Sequence, residues 1–324
     1  MEKESYNMLV SEIGNLLESG RRQAVSAVNA AITQTYWQIG RRIVEFEQRG
    51  KLKAEYGSRL LKMLSNDLKQ KYGKGFSVDN LERMRRFYTN FKISATLSRK
   101  LSWSHYVEIL AINDDLEKAF YEKQCFEENW SVRELKRQIN SGLIHRLLAG
   151  KRQGGILQLS QTGQAIQKPE DIIKDPYVLE FLKLPEPYSE KELEERIIGN
   201  LQMFLLELGK GFSFVARQFR INIGKKQFYT DLVFYNKTLR CYVLIDLKIK
   251  GSHADIGQMN LYLNYFKSKV NSIGDNEPIG IILSRNNENI EIKYALGGIS
   301  NQIFTSRYML SLPSPEQLKK VVEM

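Results

Sequence analysis

Two aspartates and one lysine interrupt apolar runs of the sequence, where a buried charge is costly. Asp231 divides the run FYTDLVFY, and Asp246 and Lys248 end the run CYVLIDLK. Charged residues are depleted from strands and are almost never buried unless they are paired or bind a metal. Carboxylate oxygens suit Mg²⁺ or Mn²⁺, and a neighbouring ammonium can orient a water or stabilise charge that develops on a phosphate. The pattern therefore predicts a divalent-metal site suited to phosphate chemistry.

Predicted strands and helices must position these side chains. Ser189 as N-cap, with Glu192 at capping-box spacing, predicts a helix over 189–208. Strands are predicted at FSFVARQFRI, QFYTDLVFYN, LRCYVLIDLKI, PIGIILS, IEIKYAL and SRYMLSLP, and a helix at about 253–267. If the second and third strands form a hairpin, Asp231 approaches Asp246, and Lys248 shares a face with Asp246 because residues two apart do so. This order predicts an α/β domain with a mixed central sheet.

The order of the acidic residues resembles a known nuclease superfamily. Glu194 on the helix, Asp231 on the second strand and Asp246-Leu247-Lys248 on the third are similar to the PD-(D/E)XK pattern. The resemblance implies that Asp231 and Asp246 bind the metal and that Lys248 is the catalytic lysine. It also implies that Glu194 holds the metal directly or through water, with Glu195 as the nearest competitor.

A second motif and several longer phrases extend the resemblance to nearly the whole chain. Gln258 and Tyr262 in QMNLY resemble the Gln-x-x-x-Tyr motif of RecB-like nucleases, which implies that they position the active site or the nucleic-acid backbone. The phrases YWQIG, LSWSH, WSVREL, FLLELGKGFSFVARQ and YTDLVFYN resemble a bacterial two-domain family. In that family a helical, winged-helix-like N-terminal domain precedes a restriction-endonuclease-like PD-(D/E)XK domain. Two departures are Asp246 where the family usually has Glu, and Thr230 where the superfamily has Pro.

The first half of the chain predicts helices. SRLLKMLSNDLKQKYGKGFSVDNLERMRRFYTNF indicates a helix, a turn at Gly73–Gly75 and a second helix that begins after the N-cap Ser77. The second helix carries Arg83, Arg85 and Arg86 on its polar side, the outline of a DNA-binding helix-turn-helix. An ordinary helical hairpin with a solvated basic face is the alternative interpretation.

Charge and composition indicate the partners and the domain organisation. The 324 residues carry a net charge of +11, of which residues 1–150 contribute +7 and residues 151–324 contribute +4. Such an excess favours a polyanion, so DNA is the expected partner and RNA stays open. Arg217 and Gln218 on the first strand could reach phosphate or simply lie on the surface. The Gly-, Gln- and Ser-rich segment 151–170 is a predicted linker between a helical domain, 1–150, and a nuclease-like domain, 171–324.

Location follows from what the sequence lacks. There is no apolar run of about 18 residues, which excludes a membrane-spanning helix, and the N-terminus lacks the order of a signal peptide. Two cysteines, Cys125 and Cys241, cannot form a disulfide framework, so a cytoplasmic protein is expected.

Three functions are compatible with these residues. The first is a metal-dependent nuclease that hydrolyses phosphodiester bonds in DNA. The second is a non-cleaving nucleic-acid-binding or assembly protein with a nuclease fold, which the Asp at position 246 supports. The third gives the N-terminal half a protein partner or a homodimer contact, through an exposed aromatic surface around Tyr36, Trp37 and Trp103.

Overall fold

A computed structural model describes residues 2–49, 54–91, 100–150, 155–286, 302–314 and 317. The chain divides into two compact units, Met1–Lys136 and Arg137–Met324. The predicted linker contains a short helix at Ile156–Thr162, and residues 151–154 lie outside the described part. The domain boundaries near 150 and 171 stay a prediction.

The regular elements described in the first unit are helices. They are α1 (Glu2–Arg49), α2 (Ala54–Tyr72), α3 (Val78–Asn90), α4 (Trp103–Ile109) and α5 (Asp115–Glu128); α6 (Val132–Asn140) runs across the division. Ser77 caps α3 as predicted, because its Oγ accepts a hydrogen bond from the backbone N–H of Asn80 at 3.2 Å. Leu81, Met84 and Phe87 are buried beneath the polar side of α3. The helix–turn–helix outline is thus observed, whereas its winged-helix-like character stays a prediction.

The expectation of an exposed aromatic surface in this unit is wrong. The rings of Tyr36 and Trp103 pack edge to face at 5.1 Å, and Trp37 packs on Tyr88 at 4.9 Å. The indole N–H of Trp37 donates to the carbonyl of Phe91 at 2.9 Å. These aromatic side chains are half-buried because they fill the space between the helices.

Close helix packing in the first unit depends on Gly40. A Cβ at this position would overlap the backbone carbonyl of Met84 on α3. The missing side chain therefore allows α1 and α3 to approach each other closely.

The second unit is built on a six-stranded sheet. Its strands are β1 (Tyr177–Val178), β2 (Phe212–Ile223), β3 (Lys226–Asn236), β4 (Cys241–Lys250), β5 (Ile279–Asn286) and β6 (Ile303–Met309). The order is β1-β6-β5-β4-β3-β2; β1, β6, β5 and β4 are mutually parallel, and β3 is antiparallel to both β4 and β2. The predicted helical N-terminal region and mixed central sheet are confirmed. The strand predicted at IEIKYAL lies outside the described residues.

Helices cover both faces of this sheet. After α7 (Leu143–Gly150) and α8 (Ile156–Thr162), the helices that pack on the sheet are α9 (Glu190–Gly199), α10 (Leu201–Leu208) and α11 (His253–Tyr265). Leu193 of α9 and Phe204 of α10 share a core with Leu232, Phe234 and Leu247. On the other face, α11 packs on alternate strand residues, among them Val233, Leu244 and Ile282. No helix in the described ranges is both long enough and apolar enough to cross a bilayer.

The single helix predicted over 189–208 is wrong in one respect. It breaks at Asn200, whose φ of −125° and ψ of 32° are not helical. The amide of the Asn200 side chain donates to the carbonyl of Arg196, so a side chain satisfies the end of α9. The capping box of Ser189 and Glu192 is present as predicted.

A buried ionic cluster lies beneath α10. The carboxylate of Glu207 is fully buried and is bound by the guanidinium of Arg146, also fully buried, and by that of Arg137 at 3.1 Å. It also accepts the backbone N–H of Val178 at 3.0 Å, and the ammonium of Lys174 donates to the Glu207 carbonyl. Burial opposes the charge, but Arg146, Lys174 and Arg137 outweigh it and lower the pKa of Glu207 to about 2.

Candidate active site

Asp231 and Asp246 meet where two strands separate. The β3–β4 ladder ends at the pair Leu232–Ile245, so the next position sets Asp231 across from Asp246. Oδ2 of Asp231 accepts a hydrogen bond from the backbone N–H of Leu247 at 2.8 Å. A side-chain oxygen thus takes the place of a ladder bond and fixes the Asp231 carboxylate beside β4.

Asp246 is buried next to Lys248. Leu247 lies in the core under α9 and α10. Because successive side chains of a strand point to opposite faces, Asp246 and Lys248 lie on the other face of the sheet, which α11 covers. The Lys248 ammonium lies 2.9 Å from Oδ2 of Asp246. Burial and the nearby Asp231 raise the pKa of Asp246 to about 7, with Lys248 acting in the opposite direction. Burial also disfavours charge on Lys248, but the neighbouring carboxylates outweigh it and raise the pKa of that ammonium.

Glu194, rather than Glu195, faces this cluster. Glu194 is buried and Glu195 is exposed on α9. Oε1 of Glu194 accepts from Nε of Arg217 at 2.7 Å, and its Oε2 accepts from Nε2 of Gln218 at 2.5 Å. Arg217 and Gln218, for which the sequence allows either a phosphate contact or a surface position, therefore lie against the helical acid.

Gln218 joins two of the carboxylates. Its amide Nε2 also donates to Oδ1 of Asp231 at 3.1 Å. The backbone of Gln218 is left-handed, with φ of 48°, and Gln218 follows a shift in the β2–β3 register between Phe214 and Ala216. A left-handed non-glycine residue costs about 1–3 kcal/mol and is typical of functional sites. The strain aims the amide between Glu194 and Asp231.

Gln258 and Tyr262 hold the strand that carries Asp231. They are hydrogen-bonded to each other on α11, and the Tyr262 hydroxyl donates to the backbone carbonyl of Tyr229 at 3.0 Å. Burial raises the pKa of Tyr262, which keeps its hydroxyl protonated as a donor. The motif thus fixes β3 two residues before Asp231. Gly280 allows α11 to lie this close to β5, since a Cβ there would overlap Met259.

Sequence reasoning missed Glu190. This first residue of α9 accepts, through Oε1, the backbone N–H of Ile249 at 2.9 Å. The bond ties α9 to the end of β4, one residue beyond Lys248. An acid in a first helical turn is common, so the sequence carried no signal for this contact.

The carboxylates fit a hard divalent cation. Oδ2 of Asp246 is buried and accepts no hydrogen bond of good geometry from the described residues, although the Lys248 ammonium is near. No three Asp, Glu, His or Cys side chains in the described ranges come together as a complete ligand set. Mg²⁺ keeps several waters and needs only one or two carboxylates plus substrate phosphates, so Asp231 and Asp246 suffice.

The three arginines of α3 are not in this cluster. Arg85 pairs with Glu47 at 3.0 Å and with Glu82 at 2.8 Å. Arg86 donates to the carbonyl of Leu110 at 2.7 Å. Arg83 and Arg86 are exposed, and Arg85 is half-buried.

Comparison with known proteins bears on both units. Residues 170–323 match the family described as YhcG PDDEXK nuclease domain, and residues 12–146 match the DUF1016 N-terminal domain. A protein of Escherichia coli (strain K12) named "Putative nuclease YhcG" is 40% identical over 346 aligned positions, which cover 97% of this chain and 92% of that protein. These matches confirm the predicted resemblance to a two-domain PD-(D/E)XK family.

Solved structures give weaker likenesses. A repair endonuclease from Pyrococcus abyssi matches at a TM-score of 0.28 and 18% identity, over 40% of this chain and 50% of that one. Can2 from Sulfobacillus thermosulfidooxidans, in complex with cyclic tetra-adenylate, matches at a TM-score of 0.27 and 12% identity, over 82% and 80% of the two chains.

Proposed function

Since the chain belongs to the family that joins a DUF1016 N-terminal domain to a YhcG PDDEXK nuclease domain, we propose that it is a metal-dependent nuclease hydrolysing phosphodiester bonds in DNA. The observation that carries the proposal is the juxtaposition of Asp231 and Asp246 at the end of the β3–β4 ladder, with Lys248 ion-paired to Asp246. Nucleases of this type generally use divalent metals, and the hard oxygen donors favour Mg²⁺ or Mn²⁺.

Asp231 and Asp246 would hold the metal, and Glu194 would support them through Gln218 or through a water. When bound, the ion supplies positive charge that stabilises the transition state of phosphodiester hydrolysis. The Lys248 ammonium orients the attacking water and offsets charge on the phosphate oxygens. Gln258 and Tyr262 keep β3, and with it Asp231, in position.

The helical unit would capture DNA. The exposed Arg83 and Arg86 support this part of the proposal, while Arg85 is engaged by two glutamates. A cytoplasmic location belongs to the proposal too, because the buried Cys125 and Cys241 are free thiols. A homodimer or protein contact through this unit stays a prediction.

Cleavage of linear, circular, single-stranded and branched DNA with Mg²⁺ or Mn²⁺ tests the proposal. We expect Asp246→Asn and Lys248→Met to lower the rate at least about 100-fold, because the first removes a metal ligand and the second removes the cation beside the reacting phosphate. Lys250→Met, exposed and two residues further along β4, is the matched control and should cleave normally. Circular dichroism verifies folding of each variant.

Two results would count against this function. Undiminished cleavage by Asp246→Asn or Lys248→Met would exclude the assigned roles. Wild-type protein that binds DNA but cuts none of the substrates with either metal would instead support the non-cleaving alternative.

A further inference from the structure

The β2–β3 hairpin extends beyond the carboxylate cluster as a basic arm. Between Phe212 and Thr230 the sequence contains four basic residues and no acidic one. The basic residues are Arg217, Arg220, Lys225 and Lys226. Arg217 is paired with Glu194, whereas Arg220, Lys225 and Lys226 are exposed. A surface of this sign beside a phosphodiester-cleaving site complements a nucleic-acid backbone, because cations that neutralise phosphates release condensed counterions.

An exposed aromatic ring lies on this hairpin. Tyr229 is 45% exposed, although it is large and lies in a strand. Among the described residues its ring has no aromatic partner and its hydroxyl no hydrogen bond. It is two residues from Asp231 on the same strand, which sets their Cα atoms about 7 Å apart.

Arg220, which lies opposite Tyr229 on β2, does not cover the Tyr229 ring. Arg220 pairs with Tyr229 in the register of the hairpin, but its Nε donates to the side chain of Asn222 at 3.1 Å. The ring is thus flanked by a cation and stays open to solvent, the arrangement that stacks nucleic-acid bases in single-strand-binding proteins.

The backbone beneath the ring is held in place. The carbonyl of Tyr229 accepts the hydroxyl of the buried Tyr262, and the neighbouring Phe228 packs towards α11. The position of the aromatic ring is therefore tied to the same helix that fixes Asp231. A preorganised ring loses little entropy when a base stacks on it.

We propose that Tyr229 and the basic hairpin form a subsite for an unpaired DNA base next to the scissile phosphate, so that the preferred substrate is single-stranded or locally unpaired at the cut. A base within a duplex is already stacked between its neighbours and cannot lie on the ring. This inference rests on the proposed nuclease function, which defines the scissile phosphate. DNA binding measured without Mg²⁺ or Mn²⁺ tests the subsite separately from cleavage.

The experiment compares fluorescence anisotropy of a labelled single-stranded DNA oligonucleotide with that of the same sequence as a duplex. We expect wild-type protein to prefer the single strand. Tyr229→Ala should weaken single-strand binding about 5- to 100-fold and leave duplex binding nearly unchanged, whereas Tyr229→Phe should retain the preference. Val215→Ala is the matched control, since Val215 is 44% exposed on the same hairpin.

The salt dependence of DNA binding tests the phosphate contact of Lys226 separately from stacking on Tyr229. Lys226→Ala should weaken binding to both DNA forms and reduce the salt dependence of single-strand binding by about 0.7 in log–log slope. Thermal unfolding of each variant shows whether the fold is retained.

Several outcomes would overturn the subsite. Tyr229→Ala that binds the single strand as tightly as wild type excludes stacking, and equal losses on single strand and duplex exclude selection of unpaired bases. If the single-strand preference depends on the Tyr229 ring but no substrate is cut, the subsite stands and the proposed nuclease function fails. If DNA is cut and Tyr229→Ala changes neither the affinity nor the preference for single strands, the nuclease function stands and the subsite fails.

Discussion

Replacing the buried Glu207 by Gln should destabilise the second unit by about 3–4 kcal/mol at neutral pH. The substitution keeps the shape but leaves the fully buried Arg146 and the nearby Arg137 without their counter-charge. Removing one partner of a buried pair costs about 3–5 kcal/mol. An independent figure comes from the Glu207 pKa, which folding lowers from 4.5 to about 2. At about 1.4 kcal/mol per pKa unit, that change corresponds to about 3 kcal/mol.

The pH dependence has a definite sign. A carboxyl whose pKa is lower in the folded than in the unfolded protein stabilises fully above the unfolded pKa, near 4.5. This contribution is lost as the pH falls through the folded value of about 2. The difference between wild type and Glu207→Gln should therefore shrink between about pH 5 and pH 3.

The assay must report the second unit. Trp37, Trp103 and Trp130 are the three tryptophans, and all precede residue 137, so tryptophan fluorescence follows the first unit. Amide hydrogen exchange of β3 and β4, measured by mass spectrometry, gives the free energy of opening of the sheet. Glu195→Gln, exposed on α9, is the control. A loss below about 1 kcal/mol, or a difference that stays constant with pH, would refute the electrostatic account of the cluster.

Two further substitutions test close packing and the Gln-x-x-x-Tyr motif. Gly40→Ala should destabilise the first unit by about 1–3 kcal/mol, because the methyl group overlaps the α3 backbone. Urea unfolding followed by tryptophan fluorescence measures this loss of stability. Gly14→Ala is the control, because the space around Gly14 is open. Equal unfolding midpoints for Gly40→Ala and wild type would contradict the close approach of α1 and α3. Tyr262→Phe leaves the Tyr229 carbonyl without its donor and should cost about 1–2 kcal/mol, with faster amide exchange in β3. Tyr265→Phe is its control, and unchanged exchange in Tyr262→Phe would show that the bond does not hold the strand.

The central part of the candidate site could be predicted because its residues violate local preference. Asp231 and Asp246 stand out as acids within apolar strand runs, and the pleat alone places Lys248 on the side of Asp246. The strand register then sets the two aspartates opposite each other as expected. Such signals are local in the sequence, so one chain suffices to detect them.

Other features depend on tertiary geometry that no local pattern encodes. The two hydrogen bonds of Gln218 accompany a left-handed backbone and a shifted register in β2, whereas the sequence there predicts an ordinary strand. Glu207 lies among the apolar residues of α10, and its partners are as many as 70 residues away. The sequence wrongly predicts an exposed surface at Tyr36 and Trp37 of α1, because an amphipathic pattern does not tell which neighbouring helix covers these rings.

The irregular course of β2 also bears on the open edge of the sheet. Among the strands that the structure describes, β2 is the last in the sheet order, so its outer edge presents unpaired backbone donors and acceptors. The register of this 12-residue strand shifts between Phe214 and Ala216, Gln218 has a left-handed backbone, and Arg220 adds an exposed cation. Irregular pairing and charge on an edge strand are features that disfavour the addition of a further strand, so the segment that presents Gln218 to two carboxylates is also poorly suited to templating aggregation.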